Sequence, residues 1–196
     1  MATQAKTFYT PEQYLAMERD APTRSEYIAG EIFAMSGASL AHSRISANVS
    51  RTLGNALEGR DCDVVGSDMR VHVPATTLYT YPDVVVVCGE PEFADGEYLD
   101  TLTNPVAVVE VLSPSTEAYD RGEKFAHYRR LPSLVDYVLV SQNALRVEHF
   151  ARQPDGSWSL HVAEDAPGAS VTLASVGASL TVAEVYRRTG LLPDTD

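Results

Sequence analysis

Two short apolar runs decide the fold: YPDVVVVCGE at residues 81–90 and NPVAVVEVLSPST at residues 104–116. Each run has the length and composition typical of a strand that is buried on both faces. Each also carries one carboxylate, since Asp83 opens the first apolar run and Glu110 lies inside the second. A lone carboxylate is costly to bury unless it is paired, hydrogen-bonded or bound to a metal ion. The two acids are therefore candidates for a functional pair.

A shared cation would explain both acids at once. If the two strands are neighbours in one sheet, Asp83 and Glu110 can face the same point. Two carboxylates at one point repel each other and raise each other's pKa unless a cation lies between them. Hard oxygen ligands suit Mg²⁺ or Mn²⁺, which takes one or two carboxylates and keeps several waters. The alternative is structural, with Asp83 as a strand-end acid and Glu110 as an edge or salt-bridged residue.

Composition limits the class of protein. The chain has 196 residues, and its net charge is −12, from 15 basic and 27 acidic residues. This charge argues against a protein that coats nucleic acid, but it does not exclude a nuclease whose site is neutralised by metal. No apolar run approaches the roughly 18 residues of a membrane span, and the first ten residues lack a signal core. Cys62 and Cys88 fit neither a metal site nor a dense disulfide framework, so we expect a cytoplasmic protein.

The ends of the chain predict additions to a central core. Residues 10–20 predict a capped helix, and SEYIAGEIFAMSG at residues 25–37 predicts a hairpin or a bent strand around Gly30. The strands predicted after Pro132 form a C-terminal β extension. We expect a single domain over residues 1–196.

The middle of the chain predicts a mixed α/β core. Apolar residues recur with helical spacing from residue 40 to residue 57, and CDVVGSDMRVHV at residues 62–73 alternates as a strand does. After the two apolar strands, Asp120 is predicted as the N-cap of a second helix, with Glu123 completing a capping box. The order is helix, three strands, helix, strand.

These segments resemble the Uma-two family of restriction endonucleases, which is placed in the PD-(D/E)XK nuclease superfamily. The resemblance rests on YPDVVVV, VVEVLSPST and DRGEKFAHYRRLP, with further similarity at SEYIAGEIFAMSG and HSRISANV. It implies a mixed α/β, restriction-endonuclease-like core with the order of elements described above. Pro82 and Asp83 then match the PD element, and Glu110 matches the acid of the (D/E)XK element.

The resemblance also implies a metal site and a displaced lysine. The carbonyl group of Val111 is implied as a third ligand beside Asp83 and Glu110. The usual lysine position is occupied by Leu112, and the nearby lysine is Lys124 on the following helix. Members of the superfamily can supply the lysine from that helix, so a migrated catalytic Lys124 is expected.

Further residues have competing interpretations. Glu31 of the hairpin is expected to substitute for an acid that the first helix lacks, and a surface role is the alternative. Whether Glu26, Glu31 or neither completes the site stays open at this point. His42 matches a family histidine that can act at the metal or phosphate, and a core role is the alternative. Tyr128 shares a helix face with Lys124, and packing is its expected role.

The expected function is a Mg²⁺- or Mn²⁺-dependent endonuclease that cleaves nucleic acid, with DNA as the expected substrate. One alternative is a non-catalytic member of the fold that binds nucleic acid or protein, and another is a metal-dependent hydrolase of a smaller substrate. We also expect a homodimer, because enzymes that cut both strands often present two sites and two-fold dimers are the commonest oligomers.

Overall fold

The computed structural model describes residues 7–192, in which two β-sheets and a β-hairpin are joined by helices. The helices are α1 (Pro11–Asp20), α2 (Leu40–Leu57), α3 (residues 117–128) and α4 (Val182–Val185), with a 3₁₀ turn at Pro74–Thr76. The strands are β1 (Ser25–Ile28), β2 (Glu31–Ala34), β3 (Cys62–Gly66), β4 (Arg70–Val73), β5 (Leu78–Thr80), β6 (Val84–Cys88), β7 (Thr101–Leu102), β8 (Ala107–Leu112), β9 (Asp136–Ser141), β10 (Arg146–Arg152), β11 (Trp158–Glu164), β12 (Ser170–Leu173) and β13 (Ala178–Thr181).

The larger sheet has the strand order β11-β10-β9-β8-β6-β3 and contains the predicted core. Strands β3, β6 and β8 are antiparallel neighbours, whereas β9 pairs with β8 in parallel. A parallel neighbour requires a crossover connection, and α3 lies in that connection. The order α2, β3, β6, β8, α3, β9 confirms the predicted restriction-endonuclease-like arrangement of a mixed α/β fold.

The larger sheet is buried on both faces, which explains why its central strands are continuously apolar. On one face, Val109 and Val111 of β8 belong to a core that includes residues of α2 and the β12–β13 hairpin. On the other face, Val108 and Leu112 belong to a core that includes residues of the smaller sheet and of α3. Successive side chains of a strand alternate between faces, so Glu110 lies on this second face, towards α3.

The smaller sheet has the order β2-β1-β5-β4-β7 and places a hairpin beside that second face. Its outer face carries Tyr27 and Tyr79, which pack with Tyr14 of α1. The β1–β2 turn has Ala29 and Gly30 at φ values of 48° and 99°, the left-handed backbone typical of a two-residue hairpin turn. Of the two predicted alternatives, the hairpin is therefore the one that is present.

The segment at residues 62–73 differs from the prediction of one strand. It divides into β3 in the larger sheet and β4 in the smaller sheet, with a turn in which the Met69 amide donates to the Gly66 carbonyl. The alternation of apolar and polar residues cannot reveal this change of sheet, because β3 and β4 each show the same strand-like alternation. Cys62 and Cys88 are register partners in β3 and β6 and form a disulfide, a pairing that the sequence analysis did not predict.

Of the predicted C-terminal β extension, β9, β10 and β11 are strands of the larger sheet, whereas the β12–β13 hairpin and α4 cover its α2 side. The Asn48 amide of α2 donates to the Val185 and Arg187 carbonyls at 3.0 and 2.8 Å, which fixes α4 to α2. The buried His149 Nε2 lies 2.6 Å from Asp136 Oδ1, and Ser175 donates to the other oxygen of Asp136. Within residues 7–192, no helix combines the length and apolarity needed to cross a membrane.

Candidate active site

Asp83 and Glu110 lie next to each other on one face of the larger sheet. In the β6–β8 pair, Val84 is opposite Val109, and the same register continued by one step sets Asp83 beside Glu110. The carboxylate of Asp83 crosses to β8, where its Oδ2 accepts a hydrogen bond from the Val111 amide at 2.7 Å. The neighbouring strands therefore bring together two acids that are 27 residues apart in sequence.

Glu110 is almost completely removed from solvent, with 4% of its surface exposed. Its Oε1 accepts a hydrogen bond from the Tyr128 hydroxyl at 2.8 Å, and Lys124 Nζ lies 3.0 Å from the same oxygen. Burial raises the pKa of Glu110 to about 8, because the attraction of Lys124 offsets only part of the desolvation and nearby Asp120 and Asp83 add repulsion. In the absence of a cation, this upward shift favours the protonated form of Glu110.

Lys124 lies among three carboxylates. Its Nζ is 3.1 Å from Glu26 Oε1 and 3.6 Å from Asp120 Oδ1, in addition to the contact with Glu110. Burial opposes the charged ammonium, but the surrounding acids, led by Glu110, outweigh it and hold the pKa of Lys124 well above its usual value. Burial also raises the pKa of Asp120, with Lys124 opposing the shift. One cation among three acids leaves the cluster with excess negative charge when all of them are ionised.

The helix α3 that carries Lys124 is distorted at this point. Glu117–Tyr119 and Phe125–Tyr128 are α-helical, but Asp120–Lys124 between them forms a π-helical turn. Such turns occur often at functional sites. The predicted N-cap role of Asp120 is wrong, because Asp120 has helical dihedral angles inside α3 and its carboxylate is buried beside Lys124. The chain becomes helical earlier, where the Ser113 carbonyl accepts from the Glu117 amide.

His42 approaches the site from the first turn of α2. Ser39 is the N-cap of this helix, and its hydroxyl accepts from the His42 amide at 3.1 Å. His42 Nε2 then lies 2.7 Å from Asp83 Oδ1. Because the Val111 amide binds the other oxygen of Asp83, this carboxylate is fixed from two sides.

The hairpin supplies Glu26 to the cluster. In the β1–β2 register, Glu26 is opposite Phe33 and Ile28 is opposite Glu31. Glu26 contacts Lys124 and also accepts a hydrogen bond from the Thr80 hydroxyl. Glu31 lies farther towards the turn and is not among the residues that line the cavity described next.

A cavity of about 850 Å³ opens onto these side chains. Its wall includes the acids Glu26, Asp83, Glu110 and Asp120 together with His42 and Lys124. Other parts of the wall come from Phe33 and Met35 of the hairpin region and from the hydroxyl residues that follow β8. In the described residues 7–192, no three His, Cys, Asp or Glu side chains form a ready-made cluster for a metal ion, and Lys124 Nζ lies among the acids instead.

Comparison with known proteins identifies the family of this chain. The family model Uma2, described as "Putative restriction endonuclease", matches residues 11–183, which is most of the chain. The chain belongs to the Uma2 family. Two Synechocystis relatives of this Uma2 chain are both described as uncharacterized proteins. The first, slr1290, is 41% identical over 180 residues, covering 91% of each chain. The second, sll1609, is 40% identical over 151 residues, covering 77% of this chain and 85% of its own length.

A solved structure confirms the fold of the Uma2 chain. A crystal structure described as a putative nuclease belonging to DUF820, from Anabaena variabilis, superposes with a TM-score of 0.71. The match covers 89% of this chain and 96% of the other at 18% identity. At this identity the likeness shows a shared nuclease-like fold, and the roles of individual residues rest on the contacts described above.

The Uma2 chain brings together most of the residues that its sequence singled out. Asp83, Glu110, Lys124 and His42 are within one network of contacts. Sequence reasoning did not assign a site role to Asp120 or to the hydroxyl of Tyr128. The signal for both was their spacing of four residues on either side of Lys124, which places them on the same helix face.

Proposed function

We propose that this Uma2 protein is a Mg²⁺- or Mn²⁺-dependent nuclease that hydrolyses phosphodiester bonds of nucleic acid, with DNA as the substrate. The observation that carries the proposal is the contact of 3.0 Å between Lys124 Nζ and Glu110 Oε1, beside Asp83 on the adjacent strand. A superfamily lysine is normally two positions after the strand acid, where Leu112 stands here. The contact supports Lys124 as its replacement from α3.

The donor chemistry of the pair fits a magnesium ion. Asp83 and Glu110 offer carboxylate oxygens on neighbouring strands, and the Val111 carbonyl is the third ligand that the family resemblance implies. Mg²⁺ commonly binds one or two carboxylates and keeps several waters, so it does not require three acidic side chains. The buried Glu110, with its raised pKa, is a site where a divalent cation would relieve electrostatic repulsion. When bound, the ion supplies Lewis-acid polarisation of the phosphodiester.

The remaining side chains of the network have separate tasks. Lys124 stabilises the negative charge that develops on the phosphate, as a fixed cation does in a site sheltered from water. Tyr128 donates to Glu110 and holds that carboxylate in place. His42 orients Asp83 through the contact of 2.7 Å. Glu26 fixes Lys124 from the hairpin side, so Glu26 is the hairpin acid that we propose for the site, rather than Glu31.

The test of this function is metal-dependent cleavage by matched variants. Supercoiled plasmid and circular single-stranded DNA are incubated with Mg²⁺, Mn²⁺ or EDTA. Asp83→Asn and Glu110→Gln should abolish cleavage and weaken Mn²⁺ binding in calorimetric titration. Asp63→Asn changes an exposed carboxylate of the edge strand β3 and should retain both. Unchanged Mn²⁺ affinity in both site variants would refute the metal site. Cleavage that persists in Glu110→Gln would refute the assignment of the reaction to this cavity.

A further inference from the structure

Phe33 presents a half-exposed aromatic ring beside the acids. It lies on β2, which is the edge strand of the smaller sheet, and 47% of its surface is exposed. Its register partner is Glu26, and directly opposed residues of an antiparallel pair lie on the same face with Cβ atoms about 5 Å apart. Phe33 therefore lines the same cavity as the Glu26, Lys124 and Glu110 network.

The cavity has little positive charge with which to bind a duplex. Among the cavity-lining residues that the structure describes, Arg24 and Lys124 carry the permanent positive charges. Lys124 lies among three acids, and Arg24 pairs with Asp68 and donates to the Ser67 carbonyl at 2.8 Å. Proteins that bind double-stranded nucleic acid through its backbone depend on many phosphate contacts by lysine and arginine. With a net charge of −12, this chain needs another source of affinity.

Stacking of a base on an aromatic ring is such a source. It does not depend on net charge, and it tolerates any base because every base has a π-face. In a duplex each base face is covered by its neighbours, whereas an unpaired nucleotide can turn its base onto a side chain. A volume of about 850 Å³ lies in the range of cavities that enclose a small ligand.

We propose that the site recognises an unpaired nucleotide, in DNA or RNA, by stacking its base on Phe33 while the adjoining phosphate lies at the divalent cation that Asp83 and Glu110 would hold. The inference rests on the proposed nuclease function, because that function places the phosphate. Glu26 and Phe33 are neighbours across the hairpin, so the base and the scissile phosphate are bound on adjacent positions of one surface.

The first test measures binding without relying on cleavage. The probes are fluorescein-labelled DNA and RNA strands of about 12 nucleotides, enough to fill one single-strand site. Each is used alone and annealed to its complement, with Ca²⁺ present. Phe33→Leu keeps an apolar side chain but removes the ring, and should raise Kd for the single strands about 5- to 100-fold. Phe33→Trp should bind at least as tightly as the parent. Tyr98→Leu removes another half-exposed ring, which packs under Arg19 outside the cavity, and should leave Kd unchanged.

The second test places the ring against the base. A single strand made of abasic nucleotides, which keeps the phosphates but presents no bases, should bind the parent protein more weakly by at least the factor that Phe33→Leu causes on the ordinary strand. Phe33→Leu should show no further loss on that strand. If Phe33→Leu weakens binding of the abasic strand as much as it weakens binding of the ordinary strand, the stacking contact is overturned. Binding of duplex by the parent protein that is as tight as its binding of single strands would also overturn it.

The outcomes separate this inference from the proposed function. Phe33-dependent binding of single strands without any cleavage supports the inference and refutes the nuclease activity. Cleavage that depends on Glu110 but is equal for paired and unpaired substrates supports the activity and overturns the inference. The relative affinities of the DNA and RNA probes identify the source of the nucleotide. Absence of single-strand binding in the parent protein overturns the inference outright.

Discussion

Replacing Glu110 by glutamine should make the metal-free protein more stable at neutral pH. Burial raises the pKa of Glu110 to about 8 from an ordinary 4.5, so the folded chain holds a proton there at pH 7 that the unfolded chain has released. Taking up this proton at pH 7 costs about 3 kcal/mol, because each pH unit between 4.5 and 7 is worth somewhat more than 1 kcal/mol. Glutamine is neutral and needs no proton, and its amide oxygen can still accept from Tyr128 and Lys124. The variant should gain up to about 3 kcal/mol at pH 7.

The direction in which stability changes with pH follows from the number of protons that the folded and unfolded states bind. Between pH 4.5 and pH 8 the folded state binds more protons than the unfolded state, so the stability of the parent protein falls as pH rises and levels off above pH 8. The pKa of Asp120 is also raised by burial, and it contributes a slope of the same sign. Glu110→Gln should match the parent near pH 4.5 and exceed it increasingly towards pH 8.

The assay is urea unfolding in EDTA, followed by the fluorescence of the one tryptophan, Trp158, at several pH values in this interval. Glu97→Gln changes an exposed carboxylate outside the cavity and should alter the free energy of unfolding by less than about 0.5 kcal/mol throughout. A difference between Glu110→Gln and the parent that does not change with pH would refute the reasoning. So would a variant that is less stable than the parent at pH 7.

Four further predictions concern the metal, the lysine, the buried Arg70 and the oligomeric state. Below pH 8, Mn²⁺ must displace the proton of Glu110 in order to bind. The affinity of Mn²⁺ for the protein, measured by calorimetric titration, should therefore weaken by up to about tenfold per pH unit as the pH falls to 6. An affinity that does not change with pH would contradict this prediction. Lys124→Ala should keep Mn²⁺ binding but lose about 100-fold or more in turnover, with partial rescue by Leu112→Lys, whereas full activity in Lys124→Ala alone would end the migrated-lysine assignment. Asp100→Ala removes the carboxylate that lies 2.9 Å from the buried Arg70. The free energy of unfolding, measured with urea, should fall by about 3 kcal/mol, because a buried charge is left without its partner. A fall of less than about 0.5 kcal/mol would contradict this prediction. The expected homodimer predicts a light-scattering mass near twice 21.3 kDa, and a mass near 21.3 kDa would count against it.

The sequence alone determined the order of the core elements and the acids at its centre. Helical spacing predicted α2 over Leu40–Leu57, and two continuous apolar runs predicted β6 and β8 because a strand covered on both faces must be apolar at every position. The same rule made Asp83 and Glu110 conspicuous, since a charge in such a run is costly without a partner. The local sequence is enough to predict these strands and their acids, because each position of a strand that is buried on both faces must itself be apolar or have a polar partner.

Only the tertiary structure decided which other side chains reach the pair. Glu26 and Glu31 flank the same turn and could not be separated by sequence, but the hairpin register and its position over the larger sheet place Glu26 within 3.1 Å of Lys124. Asp120 looked like an N-cap, because a cap and a buried helical acid have the same local pattern. The pairing of Cys62 with Cys88 likewise required the β3–β6 register. The contact of Glu26 with Lys124 and the disulfide join residues that are distant in sequence, so the packing of the elements sets their distances.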